Sequence, residues 1–297
     1  MRSSKNSILD RPAAPVVSLL LGATMWGVVW YPMRLVEAQG LSGLWLSLFI
    51  YLAALIASLP VTGPRFKEVI EAPGILIPIA LAAGWTNIAF VLAILDGNIM
   101  RVLLLFYLTP LWATLLGWSV LGERISKQAG IVLMIALAGA IIMLWDPEQG
   151  LLWPRSHADW LAITSGMAFA VSNLYVRKGQ TVSLAAKLGV TWVGVVVIAL
   201  VLIWAMEQSA PALNFAIIAS TAGVGILGIL LMTTLVQYGV THMPIHRSAV
   251  ILLFELVAGA LSQQLLTDEV MSHREWLGGG LIVLAAYFSM RQQRSSG

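Results

Sequence analysis

Residues 246–268 read HRSAVILLFELVAGALSQQLLTD. The run is greasy enough to lie in lipid, and a helix crosses the hydrocarbon with about 20 apolar residues. Glu255 stands in its middle. At a rise of about 1.5 Å per residue it lies about 13 Å into the span, near the midplane of a core about 30 Å thick. An ionised carboxylate at that depth costs at least about 2.5 kcal/mol. Glu255 is therefore expected to face a wet cavity, meet a cation or donor, or carry a proton. Ser248, Glu255 and Ser262 recur at intervals of seven, with Gly259 between them. They share one helical face, which is expected to turn away from lipid.

The rest of the chain is of the same kind. Of its 297 residues, 59% are hydrophobic and 10% charged, and the mean hydropathy is +0.88. A soluble domain carries about a quarter charged residues, so lipid is the main solvent here. Apolar runs fall at about 13–35, 41–60, 73–95, 98–120, 127–145, 158–178, 184–205, 213–240, 246–266 and 274–291, separated by charged or turn-forming breaks. No alternating ten-residue segments suggest a barrel. The charged start resembles a signal peptide. Its apolar run continues past Trp26 to about Met33 without an A-x-A site, which predicts a retained first span. Ten spans place both termini on one side. Of the 17 Lys and Arg residues, all but Arg34, Arg101, Arg155 and Arg274 fall on that side, so both termini are expected in the cytoplasm. Trp45, Trp145, Trp160, Trp204 and Trp276 fall at the opposite ends, where an indole keeps its N–H wet.

The chain also repeats itself. Residues 20–36 (LLGATMWGVVWYPMRLV) lie over 163–179 (ITSGMAFAVSNLYVRKG), matching Arg34 to Arg177. Residues 101–123 (RVLLLFYLTPLWATLLGWSVLGE) lie over 246–268, matching Pro110 to Glu255 and Glu123 to Asp268, or to Glu269 with one inserted residue. The expected domains are 1–150 and 151–297, five spans each. Five is odd, so the halves enter the membrane from opposite faces. Inverted repeats build secondary transporters, with the substrate site near the midplane between the halves.

Residues 108–144 (LTPLWATLLGWSVLGERISKQAGIVLMIALAGAIIML) and their weaker echo at 252–288 resemble the drug/metabolite transporter superfamily, in its ten-span EamA-type branch. Pro110, Gly122, Glu123 and Gly130 fit the pattern. In the second half Glu255 takes the place of the proline, and no glycine precedes the acid at 268. The resemblance implies an all-α membrane protein that exports small metabolites, often amino acids, from a bacterial inner membrane against a proton gradient.

Candidate site residues follow from polarity and size within the spans. Glu255 is a candidate for proton coupling or as a counter-charge to a substrate amine, with a protonated structural role as the alternative. Trp26 and Trp30, one turn apart, and Phe169 suit the wall of a pocket for an apolar or cationic group. Asn173 and Asn87 need hydrogen-bond partners at depth. Trp85, Gln237, Tyr238 and Tyr107 complete the substrate-binding set, and Pro110 permits a kink that could gate the path. Glu123, Arg124 and Lys127 read as a solvated turn with local ion pairs, with a latch on an inner gate as the alternative, and Asp96 and Arg101 as flanks of an outer turn. His242 and His246 are separated by Pro244 and lack a third ligand, so no metal is expected. Gly223, Gly225 and Gly228 form a G-x-G-x-x-G string, but it follows no strand, and no dinucleotide site is expected.

The absence of cysteine excludes disulfides and thiolate chemistry. The small net charge of +3 and the lack of a basic tract exclude nucleic-acid binding. No cofactor is expected. The expected partners are a small-molecule substrate, protons and the lipid bilayer, and a homodimer is left open. The leading function is a secondary exporter with alternating access. The alternatives are a channel, or a membrane-embedded enzyme acting on lipid-like substrates. Scattered histidines and carboxylates disfavour the enzyme.

Overall fold

The structure, a computed structural model, describes residues 13–41, 43–145, 153–268 and 270–291. Among the described residues the regular structure is helical throughout, as expected where backbone groups have no water to bond. Arg2, Lys5, Arg11, Arg294, Glu269 and the boundary between residues 150 and 151 lie outside the described residues.

The first half comprises α1 (Ala14–Val28), α2 (Trp30–Glu37), α3 (Gly43–Thr62), the short α4 (Lys67–Glu71), α5 (Pro73–Asp96), α6 (Ile99–Phe106), α7 (Thr109–Leu121) and α8 (Lys127–Leu144). The second comprises α9 (His157–Lys178), α10 (Leu184–Ala205), α11 (Phe215–Gly223), a π-helical stretch Val224–Leu230, α12 (Leu231–His242), α13 (Ile245–Leu252), α14 (Phe254–Leu266) and α15 (His273–Arg291). Polar residues in the breaks start the helices. Side chains of Asn98, Ser126, Ser156, Ser183 and Asn214 cap α6, α8, α9, α10 and α11.

Among the described residues, eight segments are long and apolar enough by themselves to cross a membrane. The remaining long helices, α9 and α15, have 22 and 19 residues. Asp159, Arg177 and Lys178 near the ends of α9, and Arg274 and Glu275 at the start of α15, lower their apolar character. α9 is also surrounded by α5, α6, α7 and α12, and α15 packs along α8. A helix with as many neighbours as α9 presents less surface to lipid and needs less grease, whereas α15 leaves Trp276, Leu277 and Val283 exposed.

The broken helices repeat between the halves. α6 and α7 are 8 and 13 residues long, and so are α13 and α14. At each break the ladder tightens by one residue. Leu108 N–H donates to Leu105 O and Leu111 N–H to Leu108 O, while Leu253 N–H donates to Val250 O and Leu256 N–H to Leu253 O. The four bonds coincide under the shift that matches Pro110 to Glu255. Pro110 accounts for the first break. The second contains no proline, so the break belongs to the repeat and not to that residue alone.

One end of the bundle gathers both described termini. Gly239 near the end of α12 lies against Leu19 and Pro15 of α1. Arg247 of α13 donates to Ser289 O near the end of α15. Beside this terminal face, Ser183 N–H donates to Glu68 of α4 at 2.9 Å. Burial opposes ionisation of Glu68, yet the Ser183 donors and the Arg65 and Lys67 charges together hold its carboxyl below the ordinary value of 4.5.

Candidate functional site

A cavity of about 160 Å³ lies at the centre of the bundle, enough for roughly ten water-sized positions. One wall is aromatic. Phe106 packs at 4.9 Å from Phe90 of α5, 5.2 Å from Tyr107 and 6.0 Å from Phe169 of α9, measured between ring centroids. Trp26 of α1 also lines the cavity. The breaks in α6–α7 and α13–α14 bring Tyr107 and Glu255 to this space, where the Tyr107 hydroxyl lies beside the Glu255 carboxyl. Pro110 and Glu255 are each the second residue of the resumed helix.

Helix contact at the site is close because Gly27 lies against the backbone of α14. A Cβ placed there would sit 2.5 Å from Glu255 O and 2.7 Å from Ala258 Cβ. Below it, the Ser262 hydroxyl bonds Gly27 O at 3.1 Å, and Trp30 Nε1 donates to Ser262 Oγ at 2.8 Å. Trp30 therefore ties α2 to α14 and does not line the cavity.

The polar lining is largely committed. Tyr51 donates to Asn87 Oδ1 at 2.6 Å, and Asn87 Nδ2 donates to Ala83 O at 3.1 Å. Gln237 Nε2 donates to Thr191 Oγ1 at 2.7 Å, and Thr191 passes its own proton to Lys187 O. Gln237 Oε1 and Thr233 Oγ1 are buried without a partner among the described residues. Ser172 and Asn173 complete this side.

Of the expected site residues, the cavity gathers Trp26, Asn87, Tyr107, Pro110, Phe169, Asn173, Gln237 and Glu255. It leaves out Trp30, Trp85 and Tyr238. Trp85 is 37% exposed on the outside of α5. Tyr238 stacks on His242, 4.3 Å between centroids. The cavity adds Tyr51, Thr191 and Thr233, which composition did not single out. Tyr51 is a lone tyrosine in an apolar span, a usable signal. Thr191 and Thr233 are ordinary span residues without one.

Below the cavity the helix ends of the terminal face are knotted together. Glu123 follows α7 yet accepts from Ile245 N–H at 3.0 Å, lies 3.3 Å from His246 Nδ1 and 3.6 Å from Arg177 Nε. It caps α13, which Pro244 leaves without a side-chain cap. This corrects the expected local pairing with Arg124 and Lys127. Arg177 and Gln180 also donate to Thr241 O at 2.8 and 2.9 Å. Lys187, almost wholly buried, donates to Val176 O and Thr241 Oγ1. At the opposite end Arg101 pairs with Asp159 at 2.9 Å, joining α6 to α9, so its pairing crosses helices and not the turn beside Asp96.

Comparison with known proteins bears on this architecture. The model of the EamA-like transporter family matches twice, over residues 14–145 and 156–291. No curated protein matches. A solved crystal structure of a protein superposes with a TM-score of 0.74 at 16% identity, covering 95% of this chain and 98% of that one, a likeness of fold alone. With both halves matched over most of its length, the chain belongs to the EamA-like transporter family, and is a multi-pass membrane protein of the transporter type.

Proposed function

We propose that the chain is a secondary active transporter with ten spans in two inverted halves, 1–150 and 151–297. It exports small metabolites, amino acids among the candidates, from the cytoplasm across a bacterial inner membrane. Both termini lie in the cytoplasm, and the cavity alternates its exposure between the two faces. Protons are the coupling ion and Glu255 is their carrier. A single observation carries this reading: among the described residues the cavity between the halves holds one carboxyl group, presented at a helix break that the other half repeats.

The test uses purified protein in proteoliposomes. Counterflow of labelled metabolites without ATP, saturating with concentration, is the expected result, and flux that never saturates points to a channel. Glu255→Gln is expected to abolish pH-dependent transport while leaving the folded yield near that of the parent. Unchanged pH dependence in that variant removes Glu255 from the coupling role.

A further inference from the structure

The geometry points to a substrate that is a cationic amine with an aromatic or apolar body and no free carboxylate. This rests on the transporter reading and narrows it. The charge inventory of the cavity is one-sided. Among the described residues, Glu255 brings the one carboxyl group to the lining, and no Lys, Arg or His lines it. The nearest buried ammonium, Lys187, is engaged by Val176 O and Thr241 Oγ1. It sits one helical turn behind the Thr191–Gln237 pair.

The hydrogen-bonding inventory leans the same way. Thr191 spends its proton on Lys187 O, so its oxygen must accept, and Gln237 must present Nε2 to it. Gln237 Oε1 is thereby fixed as a buried acceptor without a donor. Gln237 is 5% exposed, so a bound solute is the natural donor. Asn87 has both ends of its amide engaged. The strong unmet valences are thus acceptors, Glu255 and Gln237 Oε1, beside aromatic faces that favour cations. An ammonium group satisfies them. A carboxylate would be desolvated beside another carboxylate, with only neutral donors to meet it, among them the side chains of Asn173, Ser172 and Thr233 and the Trp26 indole N–H.

Three solutes of one skeleton test this: 2-phenylethylamine, phenylalanine and 3-phenylpropionate. Binding to the full-length protein is measured by displacement of labelled 2-phenylethylamine. The amine is expected to bind at least tenfold more tightly than phenylalanine, and the acid not to compete. Gln237→Leu should weaken the amine about tenfold. Glu255→Gln should abolish its binding, and Glu255→Asp should restore part of it. The Glu255→Asp arm keeps the test decisive if Glu255→Gln folds poorly. Equal or tighter binding of either carboxylate, or no binding of the amine, overturns the inference. The transporter reading fails separately, if no solute of a broad panel shows counterflow.

Discussion

Tyr51 and Asn87 show how a polar group is carried through an apolar span. The 2.6 Å bond between them satisfies the Asn87 oxygen while its nitrogen bonds its own helix. Tyr51→Phe removes the donor and is expected to cost about 1 kcal/mol, read as a lower melting temperature in detergent. In an Asn87→Ala background the same change should cost little, and equal losses in both backgrounds would show that the pair is not coupled. Glu255 and Asn173 were legible in the sequence because a charged or amide side chain at that depth has few bland uses. Trp30, Trp85 and Tyr238 were not, for a physical reason. A membrane helix is apolar all round, so its hydrophobic pattern does not say which side faces lipid and which faces the cavity. An aromatic ring suits both.

At the level of elements, contact between α1 and α14 depends on the missing side chain at Gly27. Gly27→Ala forces α1 away from Glu255 O and is expected to destabilise by about 1–3 kcal/mol, with loss of transport. Gly228→Ala is the matched control, since its Cβ would come no closer than 3.7 Å to a neighbour. An equal loss in both variants would deny any special closeness at Gly27. α4 offers a pH test. Glu68 has a folded value below its ordinary one, so its ionised form favours the fold above the unfolded value, and that contribution is lost as pH falls through the folded value. Glu68→Gln should melt below the parent at pH 7, and the gap should close as pH drops below about 4. A gap independent of pH would assign the effect to packing. The spans themselves were readable to within a few residues, since length and apolarity set them. The π-helical stretch at Val224–Leu230 was not: Gly225 lies against Ile50 O, but composition does not encode an extra residue per turn. The break at Leu253 was equally silent, because no proline marks it.

For the whole molecule, the repeat turns the knot at the terminal face into a statement about the other face. Glu123 corresponds to Asp268, Arg177 to Arg34, and Ile245 with His246 to Met100 with Arg101. The first set is bound together in this structure. Arg34 and Asp268 are exposed, and neither joins an ion pair among the described residues. Under the proposed alternation, Asp268 is expected to meet Arg34 and the start of α6 when the terminal face opens. The cysteine-free chain is a ready background for the test. Arg34→Cys with Asp268→Cys should cross-link weakly alone and strongly once Glu123→Gln loosens the terminal face. A yield that ignores Glu123→Gln would sever the two faces. The fold class and family were legible here because the apolar runs and the Pro110, Gly122–Glu123 and Gly130 pattern survive in sequence. The knot was not, since its members lie up to 123 residues apart. If the cross-link forms as expected, two faces fastened by similar parts leave neither orientation as a thermodynamic sink. The scaffold then has little say in which way the molecule rests, and the cargo and the gradients it meets decide.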